Sequence, residues 1–241
     1  MKNCSKKMTA IRLGVLGLCL LLGGLAVFFQ PLVTQVSGPA QTWETVVIDP
    51  GHGGFDGGCI GVNGVYEKDI NLSIAKVFNQ LCMFMGYDTI MTRYTDTALC
   101  SGEITGSLRQ QKVEDINNRL AILERQKNAV CVCIHQNKFT DSEQHGAQMF
   151  YGILDPASEE LAKSMQSAFT SLLQPDNTRE IKRGDSSVYL LTQSPIPIVL
   201  SECGFLSNEE ECEKLSGADY QAQVAFTLLT GLVNWQSGVE S

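Results

Sequence analysis

The chain lacks the short motifs that announce most metal and nucleotide sites. No C-x-x-C pair occurs among its nine cysteines, which excludes a zinc ribbon. No H-E-x-x-H occurs, so the helix of the common metallopeptidases is absent. The glycine-rich stretch after Pro50 does not read G-x-G-x-x-G, because Phe55 and Asp56 interrupt it, and no lysine stands where a P-loop needs one. A phosphate cradle or a plain turn therefore remains only a competing reading of that loop. Internal repeats and low-complexity tracts are also missing, which argues against a solenoid or a long linker.

Acidic residues are absent from the first 41 positions, where Lys2, Lys6, Lys7 and Arg12 precede an uncharged apolar run from Leu13 to Phe29. Such a segment is expected to be an export signal or an uncleaved membrane anchor with its linker, outside the fold. Ala40, with Gly38 at the −3 position, is a candidate cleavage site. Its distance from Phe29 favours an anchor, and Leu18 makes the Leu16–Cys19 stretch a poor lipidation signal. Residues 42–241 then form one domain. The chain's net charge is −8, and removing the basic leader leaves the domain with 14 basic against 26 acidic side chains, or −12. That balance disfavours nucleic acid and anionic lipid, so membrane contact is expected only through the N-terminal segment.

Strand and helix patterns alternate along the domain. Val46–Ile48, Thr89–Thr92, Ala129–Ile134, Ala147–Tyr151, Ser187–Leu191 and Ile196–Leu200 read as strands. Between and after them, helical spacing links Ile70, Ile74, Val77, Leu81 and Phe84, ended by Gly86, and Val113, Ile116, Leu120, Leu123 and Lys127. Asp155 and Pro156 open a third helix, with Leu161, Met165, Phe169 and Leu172 inward. Ser207 and Glu210 form a capping box for a short helix, and Tyr220 to Trp235 marks the last one. The class is α/β, a single domain with a mainly parallel sheet of about six strands. Cys82, Cys131 and Cys133 fall on core positions, and Cys59 with Cys100 is the loop pair worth testing as a disulfide.

Two histidines each follow a buried strand: His52 after Val46–Ile48, and His135 after Ala129–Ile134. Parallel neighbours would bring both imidazoles to one sheet edge, where open α/β sheets place ligands. Glu67 lies in the first turn of a helix, where its carboxylate also suits the macrodipole. Glu202 ends a strand that is apolar on both faces, with a distant salt bridge as the bland alternative. Two imidazoles, a carboxylate and one open position make a catalytic zinc site, and a second carboxylate serves as general base. Spacing alone leaves this open. Cys133 and His135 share a strand face and offer a competing nucleophilic pair, while His145 lies in a polar loop as a surface residue.

The motifs D-P-G-H-G-G from Asp49, E-K-D from Glu67, T-R-x-x-D from Thr92, C-I-H-Q-N from Cys133 and E-C-G-F-L-S-N from Glu202 occur in this order. Together they resemble the zinc-dependent N-acetylmuramoyl-L-alanine amidases of the bacterial amidase-3 family. The resemblance covers residues 45 to about 236. It implies a twisted sheet with helices on both faces, and one Zn2+ per chain on His52, Glu67 and His135. It also implies Glu202 as the catalytic residue, and cleavage of the amide between the lactyl group of N-acetylmuramic acid and L-alanine. Arg93 and Asn137 match family positions and brace loops or meet substrate. Cys133 departs from the serine common in the family. The segment Arg109–Leu123 is similar to the spore-cortex branch, which implies cortex peptidoglycan as substrate, ahead of muramic-δ-lactam formation. It also implies an exported enzyme on the forespore or cortex side of the membrane. A catalytically silent peptidoglycan-binding or regulatory protein of the same fold is the alternative. No feature of the sequence identifies a protein partner.

Overall fold

Four consecutive β-branched residues, Thr45 to Ile48, lay down the first strand, β1 (Thr45–Pro50), buried along nearly its whole length. It pairs in parallel with β2 (Asp88–Met91) on one side and with β3 (Ala129–Asn137) on the other. β3 pairs in parallel with β6 (Ile198–Phe205). β4 (Gln148–Tyr151) runs antiparallel to β6 and carries the two-residue β5 (Lys182–Arg183), so the order is β2-β1-β3-β6-β4-β5 in a mixed, mainly parallel sheet. This computed structural model describes residues 43–100 and 107–238. The leader at 1–41, with the candidate cleavage site Ala40, lies outside the described residues.

The period of two along each strand sends side chains to opposite faces. Val46, Ile48, Val130, Val132, Ile134 and Val199 enter one apolar cluster with α1 (Glu67–Phe84), α3 (Ala157–Leu172), α5 (Glu209–Ser216) and α6 (Ala218–Ser237). Val47, Cys131, Cys133, Ile198 and Leu200 enter a smaller cluster with α2 (Leu108–Glu124) and α4 (Tyr189–Gln193). Helices thus cover both faces, one thickly and one thinly. At the amino ends of the strands, Trp43 stacks on Trp235 with ring centroids 5.9 Å apart, and Gln236 donates to the Trp43 carbonyl.

Several expected details differ. Ser187–Leu191 is not a strand. The Asp185 side chain accepts from the Ser187 amide, the Val188 amide donates back to the Asp185 carbonyl, and the chain turns into α4. Leu190 and Leu191 are consecutive and both buried, as a short helix allows. The buried stripe of α1 runs through Ile70, Ile74, Phe78 and Cys82, which leaves Phe84 87% exposed. Leu172 and Val113 are also exposed rather than inward. The short α5 is capped by Asn208, whose side chain accepts from the Glu211 amide, while the Ser207 hydroxyl accepts from the Phe139 amide. Ser107 and Gln110 form a capping box at the start of α2 instead.

Candidate metal centre

The carboxyl ends of β1, β3 and β6 lie side by side, and the strand-end residues meet there. Past β1 the backbone bends sharply: His52 has φ 63°, a left-handed conformation that residues with a Cβ seldom adopt. Arg119 of α2 holds this bend by donating to the carbonyls of Pro50 and His52 at 3.0 and 2.7 Å. Its charge is balanced by buried Asp49, 2.5 Å away, and by Asp115. Burial alone would raise the Asp49 carboxyl, but Arg119 and the Thr92 hydroxyl bring it below the usual range.

The bend aims His52 inward. Its Nδ1 lies 2.9 Å from Asp56, which leaves Nε2 3.2 Å from Glu67 Oε1. His135 Nδ1 approaches the same oxygen at 3.0 Å, and the two rings are 5.0 Å apart between centroids. Two glycines make room. A Cβ on Gly51 would sit 2.1 Å from the His135 ring, and one on Gly58 would meet Glu67 Oε2 at 2.5 Å. Glu67 is buried as the first residue of α1, with Oε2 accepting from the Cys59 amide and Oε1 from the Gln136 amide. Asn71 also donates to Glu67 and accepts from the Gln136 side chain.

Burial opposes charge on these groups, yet their mutual contacts outweigh it. Glu67 is drawn well below the usual carboxylate range by His135 and His52. His52 is raised to about 9 by Asp56 and Glu67. Ligand atoms of His52, Glu67 and His135 all lie within 4.8 Å of one another. Two imidazole nitrogens and one carboxylate oxygen, aimed at a common point, fit a divalent cation that accepts mixed nitrogen and oxygen donors.

Glu202 stands beside them, its Cα paired in register with that of His135. Its Oε2 is buried with no hydrogen-bond partner. Burial, reinforced by Glu67 and opposed by His135 and His52, raises its carboxyl to about 7. The alternative of a salt bridge from afar is not met: no lysine or arginine pairs with Glu202 among the described residues. Glu202, His52 and His135 open onto a cavity of about 750 Å³, walled by Arg109, Lys112, Val113 and Ile116 of α2 and by Val188–Leu191. Cys133 also borders it, but the nearby Cys131 thiol and burial hold the Cys133 thiol well above its ordinary range, which disfavours the thiolate that a Cys-His nucleophile needs. The seven cysteines of the domain are free, Cys59 and Cys100 included.

The family described as N-acetylmuramoyl-L-alanine amidase, Amidase_3, matches residues 46–234. The chain belongs to this family. It is an N-acetylmuramoyl-L-alanine amidase that acts on peptidoglycan. The germination-specific N-acetylmuramoyl-L-alanine amidase of Bacillus subtilis is 33% identical, over 80% of this chain and 79% of the relative. The structure of the CwlD amidase from Clostridioides difficile in complex with the GerS lipoprotein superposes with a TM-score of 0.78 at 37% identity, covering 81% of this chain and 99% of that one. Another Clostridium difficile 630 amidase structure gives a TM-score of 0.67 at 30% identity, covering 83% and 100%.

Other residues of the amidase support the centre without joining it. Arg93 is buried and donates to the carbonyls of Pro50, Gly51, Lys68 and Thr95, which ties the glycine loop to α1. Asn137 is half-buried at the end of β3, after a register irregularity, and its carbonyl accepts from the Leu206 amide. His145 is exposed and bonded to the Glu143 carbonyl. Sequence reasoning missed Asp56, Asn71, Gln136, Asp49 and Arg119. Asp49, Asp56, Asn71 and Gln136 each lie within four residues of a candidate ligand and so carried a local signal, whereas Arg119 carried none.

Proposed function

We propose that this amidase binds one Zn2+ through His52, Glu67 and His135, that Glu202 is its general base and acid, and that its substrate is spore-cortex peptidoglycan. The observation that carries the reading is the convergence of three donor atoms beside a buried, unpartnered carboxyl. Asp56 keeps the His52 Nδ1 proton and so presents the Nε2 lone pair inward. Glu67, held ionised, brings negative charge to offset the cation. Zinc, when bound, supplies Lewis-acid polarisation of the amide carbonyl and a nucleophile at neutral pH.

Glu202 then moves the protons. A carboxyl near 7 is matched to accept a proton during attack and to pass it to the nitrogen of L-alanine as the amide breaks. Acidic Asp56 and basic Arg109 and Lys112 at the cavity wall give the substrate a charged but mixed rim.

The cortex assignment draws support from the germination-specific relative, and export draws support from the apolar run at Leu13–Phe29. In this reading the leader at 1–41 exports or anchors the domain at 42–241 outside the cytoplasmic membrane, on the cortex side of the forespore. The lipoprotein bound to the Clostridioides difficile amidase supports a partner of that kind here too. The test is digestion of purified cortex wall, with mass spectrometry of the new ends. Free L-alanine amino groups, lost on chelation and restored by zinc, are expected. Cleavage at another bond, or activity indifferent to chelation, would overturn it.

A further inference from the structure

Among the described residues, exposed large apolar side chains follow one another in the chain at one place only. Met83, Phe84 and Met85 are consecutive and 51%, 87% and 51% exposed. They cap the carboxyl end of α1, where Gly86 turns the chain with φ 91°. Consecutive residues on a helix point to different sides, so a run of three at a helix end forms a knob, not a stripe. Packing does not explain it, since the buried face of α1 is complete without these side chains.

Its position is informative. Met85 shares a shallow recess with Trp43, Glu44, Tyr87 and Asp88, and the Asp88 amide donates to the Glu44 carbonyl. The knob therefore lies where the chain enters the domain, at the amino end of β1. The metal centre lies past the carboxyl end of the same strand, about 20 Å away for six strand residues. Upstream of Trp43, 13 residues separate the domain from Phe29, the end of the apolar run. A linker of that length reaches up to about 45 Å, so by itself it fixes no orientation.

We propose that Met83, Phe84 and Met85 insert into the interfacial layer of the bilayer, a second membrane contact that turns the metal centre away from the lipid and toward the wall. The inference rests on the reading of residues 1–41 as a retained anchor. Phe and Met suit the boundary between headgroups and acyl chains, and Gln80 and Lys76, four and eight residues before Phe84 on the same helical row, remain on the polar side. Glu44 and Asp88 flank the recess, and the domain is acidic overall, so the surface matched is zwitterionic. The knob thus adds a contact that charge alone would not suggest.

The test uses the full chain in phosphatidylcholine vesicles, with photo-reactive benzoylphenylalanine in place of Phe84 or, as control, of exposed Phe139. Phe139 follows the active-site end of β3, its amide bonded to Ser207. Lipid adducts are expected at position 84 and not at 139. Adducts of position 84 with a second copy, or with residues 30–42, would overturn the inference, as would equal lipid labelling at both positions or none at either. Flotation of the same sample separates the two levels. A chain that does not float with vesicles removes the anchor and the inference together. A floating chain without lipid adducts at 84 removes only the inference.

Discussion

The two faces of the sheet are built for different purposes. On one, Phe78, Phe169, Ile70 and Met165 are fully or almost fully buried beneath α1, α3 and α6. On the other, only α2 and α4 cover the strands, and they leave the 750 Å³ cavity beside His135 and Glu202. Each buried large apolar side chain contributes about 1.5–3 kcal/mol, so the thick face supplies most of the stability. The thin face leaves carboxylates and imidazoles exposed to a substrate. The molecule tolerates a strained His52 backbone and an unpartnered Glu202 carboxyl because the opposite layer holds the strands in place.

Substitutions on the two faces therefore separate activity from stability. The largest effect is expected from Glu202→Gln, with hydrolysis falling about 10²–10⁴-fold while metal content, measured by elemental analysis, is unchanged. Next comes Phe169→Ala on the thick face, expected to cost about 3–5 kcal/mol in reversible denaturant unfolding. Equal costs for Phe169→Ala and for a cavity-wall substitution would erase the distinction between the faces.

A pH effect sharpens it further. In the metal-free protein Glu202 has a carboxyl near 7 against 4.5 when unfolded, so the folded state holds the extra proton between those values. Stability from this group is complete below 4.5 and lost as pH rises through 7. Glu202→Gln is accordingly expected to stabilise metal-free protein by up to about 3 kcal/mol above pH 7 and to change nothing near pH 4, as read by thermal melts at both. Smallest is Val113→Ala, where the exposed side chain faces the cavity: a stability change within about 0.5 kcal/mol, with the cost appearing in KM for cortex fragments.

Much of the centre was legible before any coordinates. His52, His135 and Glu202 each follow a run of buried strand residues, and strand ends at the carboxyl edge are where such sheets bind ligands. Glu67 was less distinct, since a carboxylate in a first helical turn has an ordinary explanation. The fold was read from the same periodicities, and its failures are instructive. Ser187–Leu191 has strand-like composition, but Asp185 sets a turn that composition does not show. Phe84 has the spacing of a core residue, yet the stripe through Phe78 and Cys82 rotates it outward.

The sequence alone determined the α/β class and placed His52, His135 and Glu202 at strand ends, because local periodicity is a property of neighbouring residues, while Glu67 and the four roles came only with the family resemblance. Only the tertiary structure decided that Asp49 and Arg119, 70 positions apart, clamp the bend at His52, and that Asn71 and Gln136 support Glu67 from behind. Those pairings depend on which strands become neighbours, and burial then makes each unpaired charge costly enough to select its partner.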